Sequence, residues 1–536
     1  MVCILNIDTI FASMRALTKL WHKKEICHPV LAILLCFVLV LRIPNFFEPY
    51  WYGDEGIYLT IGNGIRVGDR LYVDIVDHKT PLIYYFASVG SQLNFRILLV
   101  TWMLLTTIAF YRLSERLFKN KYSTFLATFA FVLSTTLPLF EGNIPNGELF
   151  VMGFVLFGFW ILSYSSYFAS FVTQPDEKKH HSDWQIITVS GILFGLGILT
   201  KVPGLLDACA AFMIGWFGTL QNLKTHTLQS TIKKLLPKTL LHMLILAGGI
   251  ALPILISVVY YVLRGSGEAY LNFGLLYNLH YSGNWDLGFT NPLLAFSFTL
   301  VGKFLFVVAG VLALSLLTKF FTPQQQFIAT WTLFALFASL LSNRPYPHYY
   351  LQIFPPLALL LGYGLEKLNK QLRIFQYASI ALIAVMVFAV MKILHVGGYP
   401  VISYYQRNLK LLTGQMSYHD YRNSFEWIME DNYKAAEIIS RSHDKYMFIW
   451  GTNPTLYALT KKQPTGRFTV SFHIIDLKVY DETFKSIVDK KPEYIVVMNN
   501  ETAELPGLRA YLRDNYIANN SFEHFVLWRK RSTSSL

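Results

Sequence analysis

Cysteine is scarce in this chain and placed where it can build little. The four residues, Cys3, Cys27, Cys36 and Cys209, all fall outside the polar C-terminal region, which excludes a disulfide framework or a paired-cysteine zinc site there. Charge is scarce too. Only 15% of the 536 residues are charged, against about a quarter in an ordinary soluble domain. No Walker loop, GxGxxG turn, internal repeat or low-complexity tract occurs, so the sequence gives no sign of nucleotide binding or a solenoid. No small-residue cleavage site follows the first apolar run, which reads as a retained helix rather than a cleaved signal.

What is present is hydrophobic, at 53% of residues. It is gathered in runs long enough to cross roughly 30 Å of hydrocarbon. Runs bounded by charge, Pro or Gly predict about eleven membrane helices, at 27–43, 94–112, 123–140, 149–171, 185–200, 204–220, 239–263, 292–317, 327–342, 350–366 and 374–394. The net charge of +13 is explained by orientation rather than by nucleic acid, for which no partner role is expected. With Arg15, Lys19, Lys23 and Lys24 in the cytoplasm, the loops carrying Arg112, Arg116, Lys119 and Lys121, then Lys178 and Lys179, Lys224, Lys233, Lys234 and Lys238, Lys319, and Lys367, Lys370 and Arg373 all fall inside. The segment 44–93, the turns 141–148 and 343–349, the loop 264–291 and the tail beyond 395 then lie outside. The expectation is an integral protein of a bacterial plasma (inner) membrane with an extracytoplasmic C-terminus.

The outer segment 44–93 is too long for a turn and too polar to span. Ile57, Tyr58, Ile61 and Ile65 mark an apolar stripe at helical spacing, predicting an interfacial helix over 55–67, with a second over 81–93. From about 425 the composition turns soluble. Strands are expected at 447–450, 494–497 and 525–528, and helices at 433–440, 480–488 and 508–515. The resulting fold class is an all-α polytopic membrane domain, 1–395, a linker, 396–424, and a small α/β cap domain, 425–536.

Polar groups on the outer side cluster as Asp54-Glu55, Asp74 through Asp77-His78-Lys79, Glu141 with Glu148, Lys201, and Arg344 with His348-Tyr349-Tyr350. Ionised side chains near bilayer depth are costly and usually serve a partner or a reaction. A transferase with a phosphate leaving group needs one carboxylate base for the acceptor hydroxyl and cations for the departing phosphate. An ordinary glycosidase needs an acid as well, because an alkoxide leaves poorly.

These residues resemble a family. Trp-Tyr-Gly-Asp54-Glu55, Asp77-His-Lys79-Thr-Pro81-Leu82, Asn146-Gly-Glu148, Gly195-Leu-Gly-Ile-Leu-Thr-Lys201 and His348-Tyr-Tyr-Leu-Gln-Ile-Phe-Pro355-Pro356 look like the protein mannosyltransferase and aminoarabinose transferase group, glycosyltransferase family 39-like membrane enzymes of the GT-C fold, and particularly its bacterial RgtA/B/C/D-like branch. The resemblance covers about residues 30 to 370, with a weaker echo at Trp450-Gly451 and Tyr457. It implies a polyprenyl-phosphate-linked sugar donor, an acceptor hydroxyl on a glycan, lipid-linked saccharide or protein, and inversion at the anomeric carbon. By the same resemblance Asp54 is the general base and Lys79 the lysine on the lipid phosphate. Glu55 and Glu148 are placed with the catalytic set, Lys201 and Arg344 with the phosphate, and Asp77, His348 and Tyr349 with substrate. No cofactor is required, and a divalent cation is left unassigned. Two departures stand out. Ile57 replaces an arginine three residues after the first acid, and Thr80 interrupts Lys-Pro-Pro. The second phosphate cation is therefore open among Arg66, Arg96, Lys201 and Arg344.

Each assignment has a structural alternative. Asp54 and Glu55 suit a helix N-terminus, Lys79 suits a snorkelling anchor, Glu148 suits a dipole partner, and His348 with its tyrosines suits an aromatic belt. Asp207 and Lys303 lie in or near spans with no second observation to assign them. A transporter or flippase for a lipid-linked saccharide is the rival from another class, although such proteins show paired halves, and this chain has no repeat.

Overall fold

A computed structural model describes residues 29–173, 183–222, 236–283, 285, 287–366 and 370–531. Arg15, Lys19, Lys23, Lys24, Lys178, Lys179, Lys224, Lys233, Lys234 and Lys367, with Cys3 and Cys27, lie outside the described residues.

The helical part runs α1 (Pro29–Leu41), α2 (Gly53–Arg66), α3 (Leu82–Ala87), α4 (Gln92–Leu117), α5 (Lys121–Thr136), α6 (Gly147–Leu162), α7 (Asp183–Thr200), α8 (Gly204–Asn222) and α9 (Leu236–Leu263). A turn at Gly267–Ala269 and a π-helical stretch at Tyr270–Leu276 lead to α10 (Tyr277–Gly283), α11 (Pro292–Ser297), α12 (Leu300–Leu316), α13 (Pro323–Ser339), α14 (Phe354–Tyr363) and α15 (Lys370–Ile393). Every expected apolar span coincides with a helix, but several are shorter than expected. Thr299 caps α12 through Gly302 N–H and splits the run 292–317, because a side-chain oxygen at the N-cap takes an orphan donor of the new helix. Thr322 and Gln325 form a capping box, with Pro323 at the first position, that starts α13.

Three described helices, Gln92–Leu117, Asp183–Thr200 and Leu236–Leu263, are long and apolar enough to cross a membrane, and shorter apolar ones include Pro29–Leu41, Gly147–Leu162 and Leu300–Leu316. Their outward side chains are bare hydrocarbon. Leu244, Leu263, Leu316 and Leu382 are 70%, 81%, 82% and 69% exposed. Such a belt is untenable in water and natural against lipid, and the chain is an integral membrane protein.

Beyond α15 come α16 (Val401–Leu412), α17 (Tyr418–Asn423), α18 (Met429–Ile439), β1 (Tyr446–Trp450), α19 (Pro454–Thr460), β2 (Gln463–Pro464), α20 (Ser471–Asp476), α21 (Tyr480–Lys490), β3 (Tyr494–Met498), α22 (Leu508–Asn515), β4 (Tyr516–Ser521) and β5 (Phe525–Lys530). The residues read as a linker thus carry α16 and α17. The sheet order is β2-β1-β3-β5-β4, parallel through β2, β1 and β3, and antiparallel from β3 to β5 to β4. One face is packed by Met447, Ile449, Val496, Phe525 and Leu527, and the other by Phe448, Trp450 and Ile495.

This C-terminal unit sits on the 44–93 segment. Val76 bridges Phe468 in parallel, and Val76 N–H donates to Arg467 O at 2.7 Å. Gly56 of α2 faces the α19 backbone so closely that a Cβ there would lie 2.8 Å from Thr455 N and 2.9 Å from its Cα. Gly56→Ala is therefore expected to cost about 1–3 kcal/mol of stability by overpacking against backbone that cannot rotate away. A thermal melt of the detergent-solubilised protein reads this, and an unchanged melting temperature would show that the contact yields.

Candidate active site

α2 begins one residue before the acidic pair, and its first turn carries Asp54 and Glu55. Successive residues of an α-helix are rotated by about 100°, and the two carboxylates accordingly face different partners. Asp54 remains partly open, its side chain 26% exposed, with Oδ2 accepting from Tyr58 OH at 3.1 Å and lying 3.6 Å from Lys79 Nζ. Glu55 is 1% exposed and turned away. Arg96 grips it with Nε to Oε1 at 2.9 Å and Nη2 to Oε2 at 2.7 Å, and Gln92 adds a 3.0 Å hydrogen bond. The expectation of a catalytic Glu55 is corrected: it is half of a buried clamp that also ties Arg96 to Glu48 at 3.2 Å. Arg96 is thereby removed from the candidates for the phosphate cation, because both acids already hold it.

Arg96→Met would leave Glu48 and Glu55 buried without a cation. A loss of about 3–5 kcal/mol is expected, as when one partner of a buried pair is removed. Glu55→Gln should lower stability less and leave turnover per folded molecule within about threefold, since Arg96 keeps Glu48. Loss of turnover in a normally folded Glu55→Gln protein would reverse this correction.

Lys79 is buried between two carboxylates, 3.6 Å from Asp54 and 3.5 Å from Asp77 Oδ2, with the Tyr58 ring 5.0 Å away. Burial alone would favour loss of its proton, but Asp54 and Asp77 outweigh this and hold the ammonium above its ordinary pKa. For Asp54, burial pushes upward, while Lys79, His348 and Lys201 pull harder and leave it below the ordinary value. Asp77 is completely enclosed. Tyr84 OH donates to its Oδ2 at 2.6 Å, and its Oδ1 lies 3.0 Å from His78 Nδ1 and 3.3 Å from His473 Nε2. Burial again opposes the charge, Lys79 and His78 overcome it, and the carboxyl sits well below the usual range. Asp77 therefore holds Lys79 from behind. Asp74 lies apart, exposed and paired with Arg70 at 3.0 Å, where it holds a turn.

Glu148, at the start of α6, is paired with Lys201 from the α7–α8 turn. The Lys201 ammonium also lies 4.5 Å from the Tyr349 ring centre. Arg344 packs its guanidinium 3.9 Å from the Tyr281 ring and 5.0 Å from that of Trp285, and its buried Nε has no hydrogen-bond partner. Tyr281 in turn stacks on His78 at 4.4 Å and meets Tyr349 OH to OH at 3.4 Å. A narrow cleft of about 50 Å³ opens beside these groups, lined by Lys79, Glu148, Lys201, Tyr281, Tyr349 and Gln352. It has cations on its walls, aromatic faces between them, and one partly open carboxylate, Asp54, beside the Lys79 that lines it.

His348 is placed at the edge of this set. Its Nδ1 is 2.6 Å from Glu141 Oε2 and 2.9 Å from Tyr52 OH, and Tyr52 OH also donates to Glu141 at 2.5 Å. Glu141 reaches both from a left-handed backbone, φ 59°, a conformation uncommon outside glycine. The two span residues without a role also find one. Asp207 takes hydrogen bonds from Trp331 Nε1 at 2.7 Å and from Gln352, so it orients a lining residue. Lys303 donates to Leu340 O at 2.6 Å and Asn343 Oδ1 at 2.9 Å, closing the turn before Arg344. Arg66 lies against Gly90, away from the cleft. Sequence reasoning missed His473 and Tyr281 as partners of the site and named Glu141 only as part of a cluster, without a role. Glu141 was visible beside Glu148, whereas nothing local marks His473, 395 residues from the histidine it meets at 3.1 Å.

No protein-family model matches the chain, and no curated protein sequence does. Among solved structures it is similar to ArnT from Cupriavidus metallidurans bound to undecaprenyl phosphate, with 13% identity, 94% of this chain and 98% of that chain covered, and a TM-score of 0.52. Archaeal oligosaccharyltransferase AglB from Archaeoglobus fulgidus, in complex with an inhibitory peptide and a dolichol-phosphate, aligns over 89% of this chain and 70% of that one at 13% identity and a TM-score of 0.41. The first likeness, spanning nearly both chains, shows that this protein has the GT-C fold.

Proposed function

We propose that the protein is an inverting glycosyltransferase that moves a sugar from a polyprenyl-phosphate-linked donor to a hydroxyl of a glycan, lipid-linked saccharide or protein. The observation that carries this reading is the Asp54–Lys79–Asp77 row, in which one partly exposed carboxylate touches a buried lysine braced by a second carboxylate. Lys79 neutralises the donor phosphate, so the phosphate departs without a proton; Lys201 adds a cationic wall, and Arg344, packed against the lining residue Tyr281, adds positive charge behind it. As Lys79 turns toward the phosphate, its hold on Asp54 weakens and Asp54 becomes a better base for the acceptor hydroxyl. A single displacement of this kind inverts the anomeric centre. Glu148 holds Lys201 in place, and Asp77, His348 and Tyr349 shape the donor and acceptor positions. The undecaprenyl phosphate bound to ArnT, a protein of the same fold, supports a lipid-phosphate donor.

In the same proposal about eleven spans cross the membrane, with basic loops inside and the cleft outside. The division is a membrane domain over 1–395, a connection over 396–424 and an extracytoplasmic cap over 425–536, in a bacterial plasma membrane. The test supplies a library of undecaprenyl-phosphate sugars to proteoliposomes and follows release of free lipid phosphate by mass spectrometry. Release with one sugar and a matching mass gain on an acceptor is expected. Movement of intact donor between leaflets with no release would establish a flippase instead.

A further inference from the structure

α16 carries an apolar edge that sugar transfer does not use. Ile402, Tyr405, Leu409 and Leu412 recur at alternating three- and four-residue spacing and so share one side of the helix. Ile402, Leu409 and Leu412 are 75%, 61% and 52% exposed. The roughly opposite side is committed to the protein, where Tyr404 and Asn408 are buried and Tyr404 OH donates to Glu48 of the Arg96 clamp. An amphipathic helix with one side packed and a bare apolar edge needs something to cover that edge.

The attachments of α16 identify the cover. Tyr405, on the bare edge itself, donates its hydroxyl to the carbonyl of Leu41, the last residue of α1, at 3.0 Å. Just before the helix, Tyr399 N–H donates to Leu139 O in the turn after α5 at 3.1 Å, and a Cβ on Gly398 would lie 2.7 Å from Leu139 Cδ1. α1 and α5 are packed neighbours, with Phe37 stacked on Phe129 at 5.7 Å. Both end on the side that carries Asp54. Two attachments to neighbouring helix ends, one before α16 and one near its middle, lay it across the rim of the membrane bundle. Its apolar edge turns the same way as Tyr405, toward that rim. The rim is itself exposed hydrocarbon, with Val40, Ile43, Phe46 and Leu139 bare, so the edge of α16 continues the lipid-facing belt. Charge agrees with this placement. No Asp or Glu lies between Glu366 and Asp420, while Lys392 at the end of α15 and Lys410 on the flank of α16 are exposed, as suits contact with phosphate headgroups.

We propose that α16 is an interfacial helix whose Ile402, Leu409 and Leu412 are buried in the membrane leaflet on the Asp54 side, with phospholipid as the occupant of its apolar edge. The C-terminal unit is thereby tied to the bilayer itself as well as to the 44–93 segment. The bilayer surface then helps set the position of the cap over the cleft.

The experiment uses the full-length protein with Cys3, Cys27, Cys36 and Cys209 changed to Ala, in vesicles of phosphatidylethanolamine and phosphatidylglycerol. A nitroxide is attached at Leu409→Cys or at Lys410→Cys, one residue and about 100° further round the helix. The Leu409→Cys label should collide more with oxygen than with a water-soluble nickel chelate, at a depth of about 5–10 Å, and the Lys410→Cys label should favour the chelate. Preference for the chelate at Leu409→Cys, or the same preference at both positions, would overturn the proposal. So would shielding of Leu409→Cys from both reagents, which would mean that protein covers the edge; spin–spin broadening lost on dilution with unlabelled chains would then identify a second copy. If the cysteine-free protein fails to fold, wild type in the same vesicles is irradiated with phospholipid carrying a carbene precursor in its acyl chain. Labelling of the peptide spanning 401–412 is expected, and its absence while α9 is labelled would equally overturn the assignment. No sugar donor enters either measurement, so failure here and failure of the glycosyltransferase reading are distinguishable.

Discussion

Lys79→Met is expected to reduce sugar transfer by about 10³-fold, the scale seen when a preorganised group on a developing negative charge is removed. The variant also leaves Asp77 enclosed without its ammonium partner, and a stability loss of about 3–5 kcal/mol should accompany it. Two effects on one substitution must be separated. Lys79→Met combined with Asp77→Asn removes both charges, so it should recover folded protein without recovering transfer. Lys79→Arg keeps the charge on a longer planar group that fits the space between Asp54 and Asp77 less well, and intermediate turnover is expected. The readout is lipid phosphate released per folded molecule. Transfer by the double variant near the wild-type rate would dismiss Lys79 as the phosphate cation and leave it a structural counter-ion.

Asp54→Asn should lower kcat by about 10²–10⁴-fold, the range for loss of a positioned base. The amide can still accept from Tyr58, so the local geometry survives. Donor binding should hold or tighten, because Lys79 loses a competitor for the phosphate; weaker lipid-phosphate binding would contradict the arrangement. The pH profile carries a sign. Asp54 lies below its ordinary value in the free protein, so it is already ionised throughout the neutral range. kcat/KM should show no acid limb from this group above about pH 4. Once the phosphate takes Lys79 the carboxyl loses its main cation, and the acid limb of kcat should lie at higher pH than that of kcat/KM. Coincident limbs would mean that Lys79 does not transfer its attention from base to phosphate.

Much of this protein is local in origin. Apolar runs with bounding charge or proline require helices wherever they occur, and short β-branched and aromatic runs after 425 require strands; neither depends on distant partners. Asp54 and Lys79 stand out in the sequence because a charge at the mouth of an apolar bundle is costly unless something uses it, and the fold sets them 3.6 Å apart. Glu55 was misread because adjacency in sequence is not adjacency on a helix. One step of rotation carried it from the cleft to Arg96, 41 residues away. Span lengths erred for a related reason: Thr299 could end a helix only because its side chain met Gly302 N–H in the folded turn.

The sequence by itself determined a helical membrane protein with a polar first loop, an acid and a lysine poised there, and a small mixed α/β end. Those follow from hydropathy, periodicity and the energetic cost of charge in hydrocarbon, all of which act over a few residues. Only the tertiary structure decided which acid meets the lysine, that Asp77 braces it, that Arg344 lies among aromatics, and that His473 returns from the C-terminal unit to Asp77 and His78. Those are contacts across tens to hundreds of residues, and side-chain direction and packing set them, neither of which leaves a local trace.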